Sequence, residues 1–499
     1  MGSSESKIED FNEEYYGLQK KIKDVEWEYI LFEIISLENL PKEFLGLDNP
    51  DPTIKLEAIG GSVDLPITPP PNEYQFVTRW DAKTPVWNEL GFVAYGKGQV
   101  EKVKIKIMDD NKILKDTLLL EKEVPIPKDI GKWSDEMVLK EKDLTIKFKM
   151  RRDTKPVQNE DAYKNMDLKE IKFNVNGKVG HETGIQASLK YHQAESNTKA
   201  VMYFPGLVDT FRHPHLLDLF SSEGFDFYSL DPHGCGRTAK YLKDPRYAHD
   251  VPEQNFDAYI KDIDKTIEFM KKSKDYDSVL VYAHSTGAPI FLNYYLNKRE
   301  NDNSIAKYFD AVIMNGPFLD FGGDATDGIG SSCNEFILES ILTRLPFFAS
   351  KNLNATSADK NEFVMFRARR WILYNTPVDS SIICSTNITL NYMKAVTKVH
   401  RHLNKSIKKD KGHVVGFDEL PCLFMSSKGD TILTHKESLG RATGLFENPE
   451  IHQLQHNFHD VCLSDTKELN EIPLEIIRDW LKKTFPANDD KKKEVEYDC

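Results

Sequence analysis

Short segments in which hydrophobic and polar residues alternate dominate the chain from about residue 26 to residue 152. They are rich in β-branched and aromatic residues and are separated by Pro, Gly, Asp and Asn, as strands joined by turns are. The segments are WEYILFEIISL, PTIKLEAI, EYQFVTRW, NELGFVAYG, KVKIKIMD, LEKEVPI and LTIKFKM. Several short strands at this spacing predict an all-β sandwich over residues 26–152.

The pattern changes in the second part of the chain, over residues 168–486. Two leading strands, EIKFNV and GIQASLKYH, precede near-continuous apolar segments with helical patterns between the later ones, for example at 256–272 and 288–297. The apolar segments are KAVMYFPG, GFDFYSLDP, DSVLVYAHS, FDAVIMNGP, LPCLFMSSKGD and EIHQLQHN. This alternation predicts a mostly parallel, doubly wound sheet. Aromatic and helical sequence at about 324–415 suits a cap inserted after the sixth strand.

Three further segments complete the predicted organisation. Residues 1–25 place apolar side chains at helical spacing among charged ones, which predicts an amphipathic helix; these are Ile8, Phe11, Tyr15, Leu18 and Ile22. The polar stretch 153–167 predicts a linker. The charged stretch 487–499 predicts a disordered tail.

The first residues, MGSSES, fit the N-myristoylation pattern, with Gly2 as the acceptor. The alternatives are a polar terminus without acylation and a helix that packs on a neighbouring domain. A single myristoyl chain binds membranes only marginally, with a constant of about 10⁴ M⁻¹, so a second lipid-facing element would be needed.

Composition limits the classes of protein to which this chain of 499 residues can belong, and its hydrophobic fraction is 40%. The sequence lacks an apolar run of membrane-spanning length and a signal-peptide pattern, so we expect a cytoplasmic protein. Six scattered cysteines indicate reduced thiols, with neither a disulfide framework nor a metal site. The formal net charge of -13 argues against broad nucleic-acid binding.

The most informative short motif is Ala-His-Ser-Thr-Gly, centred on Ser285 between an apolar strand and a helix. A strand that turns sharply into a helix lifts one side chain above the sheet and needs small neighbours. This context predicts a nucleophile elbow of the G-x-S-x-G type, with Ala283 replacing the first glycine.

A serine nucleophile needs a histidine base and an acid that orients it, in the chain order serine, acid, histidine. Asp430 follows a buried strand and is the predicted acid. His459 is the predicted base because it lies beyond the next strand, whereas His456 is the fallback and His452 the third histidine of the segment. No cofactor is expected for this chemistry.

An oxyanion hole should accompany this triad. The backbone N–H of Thr286 lies at the start of the helix after Ser285, where the helix dipole adds a positive end. The second donor is predicted to be the N–H of Leu207, in the loop YFPGLVDTF after the third strand.

Four segments carry a resemblance to a known family, namely YFPGLVDTF, LDPHGCGRT, NYMKAVTKVHRHL and FHDVCLS. They resemble the serine aminopeptidase-like α/β-hydrolases, a group that includes monoacylglycerol lipases and lysophospholipases. Pro205 replaces the histidine of the family's oxyanion loop. The resemblance implies an α/β-hydrolase fold and hydrolytic activity.

The predicted sandwich resembles a C2 domain in three segments, which follow the family's order: NLPKEFLGLDNPDPTIKL, TRWDAKTPVWNELGFVAYG and VKIKIMDDNKILKDTLLLEKEVPI. C2 domains often bind calcium through loop aspartates. The resemblance implies the ligands Asp51, Asp109, Asn111 and Asp116, with Asp48 or Glu43 at the early position. A calcium-independent sandwich that contacts lipid or the rest of the chain is the alternative.

The first hypothesis is therefore a serine hydrolase that cleaves carboxylic esters of lipids, of the monoacylglycerol or lysophospholipid class. The N-terminal region would recruit it peripherally to membranes. A peptidase that acts on N-terminal residues is the second hypothesis, although it requires a buried carboxylate near the serine that the sequence does not identify. The third is a membrane-recruited scaffold whose hydrolase domain is inactive.

Overall fold

A computed structural model describes the chain in separate ranges: 24–41, 50–63, 72–76, 85–87, 90–109, 116–154, 168–207, 209–211, 213–243, 247–301, 307–319, 352–353, 388–409, 417, 420–430, 433, 435–463 and 467–486. The chain divides into two compact units. The first comprises residues 1–160, 356–377 and 428–431, and the second comprises residues 161–355, 378–427 and 432–499.

The first unit contains two four-stranded antiparallel sheets within its described residues. Its strands are β1 (Trp27–Glu38), β2 (Pro52–Ala58), β3 (Glu73–Gln75), β4 (Leu90–Gly96), β5 (Lys102–Asp109), β6 (Thr117–Pro125), β7 (Met137–Glu141) and β8 (Leu144–Thr154). The orders are β4-β1-β8-β7 and β3-β2-β5-β6. The predicted all-β character is therefore present, while β7 was not predicted and β8 extends into the start of the predicted linker.

The core of this unit follows from the two-residue period of its strands. In β5, Val103, Ile105 and Ile107 are fully buried, and the intervening lysines lie on the other face. Successive side chains of a strand point to opposite faces, so alternation produces one buried face. Phe32 of β1 stacks on Phe148 of β8 at a centroid distance of 4.6 Å within the same core.

The described residues of the second unit form an eight-stranded sheet, together with a short antiparallel pair, β15 (Asn352–Leu353) with β16 (Ile388–Thr389). The sheet strands are β9 (Lys169–Val179), β10 (Glu182–His192), β11 (Lys199–Phe204), β12 (Phe225–Asp231), β13 (Ser278–His284), β14 (Ala311–Asn315), β17 (Cys422–Ser427) and β18 (Glu450–Leu454). Their order is β18-β17-β14-β13-β11-β12-β10-β9. β9 and β10 pair antiparallel, β10 pairs antiparallel with β12, and the remaining pairs are parallel. This topology agrees with the predicted doubly wound sheet.

Helices cover both faces of this sheet. Those among the described residues are α1 (Pro214–Ser222), α2 (Ile260–Ser273), α3 (Gly287–Asn301), α4 (Leu390–Lys409), α5 (His435–Leu445) and α6 (Lys467–Thr484). Side chains of α2 to α5 belong to one apolar cluster, and side chains of α1 and α6 belong to another. β13 contributes to both clusters, with Val281 on one side and Leu280 on the other. Its near-continuous apolar sequence follows from burial on both faces.

Several predicted features fall outside the described residues. These are Gly2 and the amphipathic pattern of residues 8–22, most of the cap region, Asn111, Asp48, Glu43 and the charged tail. The described part of the cap region consists of the β15–β16 pair and α4. Among the described residues, no helix combines the length and the apolar character needed to span a membrane.

Candidate active site

Ser285 lies directly after β13, in the turn that leads into α3. Its φ of +51° is left-handed, a conformation that costs a non-glycine residue on the order of 1–3 kcal/mol and is common at active sites. The Ser285 N–H donates to the Asn315 carbonyl oxygen at 3.0 Å, and the Ser285 carbonyl oxygen accepts from Phe318 N–H at 3.0 Å. These bonds hold the strained turn in place.

Small residues around Ser285 allow the turn to close. A Cβ on Gly287 would lie 2.5 Å from the Phe204 carbonyl oxygen, a distance that real Cβ atoms do not adopt, so β11 approaches too closely for any side chain there. Ala283 lies within β13 between Phe204 of β11 and Met314 of β14, and it is fully buried. Alanine therefore fits where the motif usually has its first glycine.

His459 approaches Ser285 from the loop between β18 and α6. The distance between His459 Nε2 and Ser285 Oγ is 2.8 Å, and both residues are buried. This distance lies within hydrogen-bond reach for proton transfer. His452 instead contacts Glu450 at 3.1 Å, and His456 is half-buried in the turn after β18. Of the three histidines considered from the sequence, His459 is the one placed against the serine.

Asp430 is half-buried and lies beyond the carboxyl end of β17, which ends at Ser427. β13, β14, β17 and β18 run parallel to one another, so their carboxyl ends share one edge of the sheet. Ser285, Asp430 and His459 each follow one of these strands.

The predicted oxyanion loop passes directly against the nucleophile. A Cβ on Gly206 would lie 3.1 Å from Ser285 Cβ, and Leu207 follows at the next position in a half-buried turn. Thr286 is buried and lies between Ser285 and the first residue of α3. The two residues predicted to supply N–H donors therefore flank Ser285 on two sides.

A buried ion pair supports the loop that carries Leu207. Thr210 Oγ1 donates to Asp231 Oδ2 at 2.9 Å, and Arg237 Nε lies 3.2 Å from the same oxygen. Burial raises the pKa of Asp231, and the adjacent guanidinium opposes that rise. Asp231 begins the turn DPHGCGRT, so this turn anchors the oxyanion loop to the end of β12.

A polar cluster that the sequence did not predict lies next to the serine–histidine pair and centres on Asp460. Asp460 Oδ2 accepts from His213 Nε2 at 2.7 Å, and Asp460 Oδ1 accepts from Asn315 Nδ2 at 2.8 Å and from Cys462 N–H at 3.1 Å. Two sequence signals could have indicated this cluster. They are Asn315, the polar residue that ends the apolar strand AVIMN, and Asp460, the acid directly after the predicted histidine. Neither signal specifies a partner without coordinates.

His284, immediately before the nucleophile, is buried, and neither ring nitrogen has a hydrogen-bond partner among the described residues. Burial lowers its pKa to about 4, so the imidazole is neutral at pH 7.

Three residues beside the candidate site carry atoms of the kind that bind metal ions. A carboxylate oxygen of Asp209, a ring nitrogen of His284 and a carboxylate oxygen of Asp460 lie within 4.8 Å of one another. Both oxygens of Asp460 already accept N–H donors from residues outside this group, so the Asp460 carboxylate is poorly suited to bind a metal ion.

Three of the predicted calcium ligands, Asp51, Asp109 and Asp116, lie among the described residues, at one end of the β3-β2-β5-β6 sheet. The register pairs Pro52 with Asp109 and Asp109 with Thr117, which brings the positions of Asp51, Asp109 and Asp116 together. Asp109 is buried, and its Oδ1 accepts the Asp51 N–H at 2.8 Å, whereas Asp116 is exposed. Calcium binding and C2 identity stay predictions.

Comparison with known proteins gives one family match. The family model for hydrolases described as serine aminopeptidase, S33, matches residues 195–467, more than half of the chain. A soluble variant of monoglyceride lipase from Saccharomyces cerevisiae, in complex with a substrate analogue, is 16% identical with a TM-score of 0.45, over 62% of this chain and 96% of the lipase. A thermostable carboxyl esterase from Bacillus coagulans is 14% identical with a TM-score of 0.42, over 64% of this chain and 99% of the esterase. No curated protein sequence matches this chain.

Proposed function

The chain belongs to the serine aminopeptidase S33 family, and from this premise we propose that it is a serine hydrolase that cleaves carboxylic esters of lipids, of the monoacylglycerol or lysophospholipid class. The observation that supports the proposal most is the 2.8 Å distance between His459 Nε2 and Ser285 Oγ in a buried site. The hydroxyl and the base that must remove its proton are already within transfer distance.

In the proposed reaction, Ser285 Oγ attacks the ester carbonyl carbon while His459 Nε2 accepts the hydroxyl proton. The backbone N–H groups of Thr286 and Leu207 stabilise the tetrahedral oxyanion. Collapse breaks the bond to the alcohol, which leaves with the proton from His459, and the acyl group remains on Ser285. A water then attacks the acyl-enzyme, giving its proton to His459, and the carboxylic acid is released as Ser285 regains its proton.

Asp430 is proposed to accept a hydrogen bond from the other ring nitrogen of His459, which would fix the tautomer and stabilise the imidazolium. The N-terminal region is proposed to hold the enzyme at membrane surfaces, where lipid esters are concentrated. This part of the proposal rests on the acylation pattern at Gly2 and on the resemblance of the first unit to C2 domains.

A fluorophosphonate probe tests the proposed chemistry, because it labels serines that are activated as nucleophiles. We expect the full chain to be labelled and Ser285→Ala to lose both labelling and ester hydrolysis while its unfolding temperature stays within a few degrees of wild type. Ser273→Ala, at the end of α2, is the matched control and should keep both activities. Ester turnover by a folded Ser285→Ala protein would contradict the assignment.

The choice of substrate needs a second assay. The proposal predicts that 1-acylglycerols and lysophospholipids are hydrolysed faster than aminoacyl amides at equal concentration. Faster turnover of the amides would favour the aminopeptidase alternative, and absence of probe labelling would favour an inactive scaffold. Each of the three hypotheses therefore has a distinct outcome.

A further inference from the structure

Asn315, the last residue of β14, is bonded to both sides of the candidate active site. Its carbonyl oxygen accepts the Ser285 N–H at 3.0 Å. Its side-chain Oδ1 accepts the Val461 N–H at 3.0 Å, and its Nδ2 donates to Asp460 Oδ1 at 2.8 Å. One residue thus joins the nucleophile turn to the two residues that follow His459.

Because Asn315 is buried, its hydrogen bonds determine how the loop after His459 is placed relative to the nucleophile turn. Asn315 and Asp460 are both 1% exposed, so bulk solvent does not reach the hydrogen bonds between them. Nδ2 of Asn315 also donates to the Tyr282 hydroxyl at 2.8 Å, which fixes the plane of the amide. A buried polar group without a partner is costly, so each bond favours one arrangement of the loop.

Asp460 ties the same loop to a third element. Its Oδ2 accepts from His213 Nε2, and its Oδ1 accepts the Cys462 N–H as well as the Asn315 amide. His213 immediately precedes α1, which packs on the opposite face of the sheet from α3. The loop after His459 is therefore fixed from β14 and from the start of α1.

We propose that Asn315 is a positioning residue that sets the His459–Ser285 geometry by binding both the nucleophile turn and the histidine loop. This inference rests on the proposed function, because it assigns Asn315 a task in that same serine chemistry. Proton transfer needs the two groups within a few tenths of an ångström of their working geometry, and a misplacement of about 1 Å can cost about 10²-fold in rate. Asn315 itself touches no reacting atom.

The first test is Asn315→Ala, with rates expressed per active serine. Complete titration with a fluorophosphonate counts competent sites, and hydrolysis of 4-nitrophenyl butyrate then gives kcat per site and KM. We expect kcat per site to fall about 10²-fold with KM unchanged within about twofold, because substrate binding does not involve Asn315. Asn293→Ala on α3, which removes the 3.0 Å hydrogen bond from Asn293 Nδ2 to Asp257 Oδ1, is the matched control and should leave kcat per site near wild type.

A purely structural role for Asn315 predicts a different result. In that case the variant would contain fewer titratable serines, each working at the wild-type rate, and this outcome would overturn the proposal. If wild-type protein is not labelled by the probe at all, the proposed function fails instead. The two failures are therefore distinguishable in the same experiment.

A reciprocal exchange provides a second test that preserves side-chain volume. Asn315→Asp places a carboxylate against Asp460, and we expect kcat per site to fall about 10³-fold or more. Adding Asp460→Asn restores the donor–acceptor pair between the two side chains in the reverse direction, although the Cys462 N–H loses its acceptor. The double variant should therefore recover about tenfold over Asn315→Asp alone without reaching the wild-type rate. A double variant whose loss equals the product of the two single losses would contradict a direct Asn315–Asp460 interaction.

Discussion

At the scale of single residues, the candidate site depends on backbone conformations that most residues avoid. Ser285 has a φ of +51°, and Gly316, next to the positioning residue Asn315, has a φ of +50°. Ser285 bears a side chain in this conformation because neighbouring carbonyl and N–H groups bind its backbone. At Gly316 the same conformation is combined with a close approach by the histidine loop, which leaves no room for a Cβ.

We predict that Gly316→Ala lowers kcat by more than its effect on the free energy of unfolding would account for. A Cβ at this position would lie 2.3 Å from the His459 carbonyl oxygen, so the loop that carries the base must move. A displacement of this size should reduce kcat about 10²-fold, measured per titrated serine. The control is Gly440→Ala within α5, where a Cβ would meet nothing within 4 Å and alanine favours the helix by about 1 kcal/mol. Equal activity of Gly316→Ala and wild type would show that the loop can shift without consequence.

At the scale of secondary-structure elements, long buried strands were the most predictable part of the chain. β12 and β17 are buried along their whole length and β13 from its second residue onwards, because both faces are covered. Each of the three was recognised from its mostly apolar sequence. β7 was missed because its five residues, MVLKE, are only partly buried or exposed, and an edge strand of this kind has no strong alternation. The end of β5 and the start of β6 bring together two of the predicted calcium ligands, Asp109 and Asp116.

For this end of the first unit, we predict that calcium strengthens binding to anionic liposomes and that Asp109→Asn weakens the calcium-dependent part at least tenfold. Removing one carboxylate lowers the negative charge available to a hard cation. Liposome sedimentation with calcium and with chelator measures the effect. Asp135→Asn is the matched control, because Asp135 lies in the connection between β6 and β7 at the opposite end of the unit. Calcium-independent binding that is equal in all three proteins would favour the calcium-independent alternative.

At the scale of the whole molecule, buried histidines couple stability to pH. Burial lowers the pKa values of His215, His249 and His284 to about 4 each. The unfolded chain binds these protons with a pKa near 6.5, so the unfolded state gains protons first as pH falls. Above about pH 6.5 these histidines therefore leave the free energy of unfolding unchanged. As pH falls from about 6.5 towards 4, each of them lowers the free energy of unfolding by up to about 3 kcal/mol.

We expect His249→Asn to reduce this pH dependence without loss of the fold at pH 7. His249 has a φ of +62°, a conformation that asparagine tolerates better than most residues, and the substitution removes the titratable ring. Thermal unfolding at pH 7 and pH 5 measures the change, and the decrease in Tm between the two should be smaller for the variant. His181→Asn is the control, since His181 is exposed in the turn between β9 and β10. A variant with the same decrease as wild type would show that His249 does not contribute.

The amino-acid sequence by itself determined the sheet-and-helix order of the second unit and the all-β character of the first. It also predicted Ser285 and His459 as a candidate pair, which the structure places 2.8 Å apart. These features depend on local periodicity and on short motifs whose chemistry requires particular residue types in a fixed order. Only the tertiary structure revealed Asn315, Asp460 and His213 as a bonded cluster behind the serine, and the left-handed strain at Ser285 itself. Those contacts join residues separated by up to 247 positions, and pairing at that distance depends on how strands and loops meet in space, which no local pattern encodes.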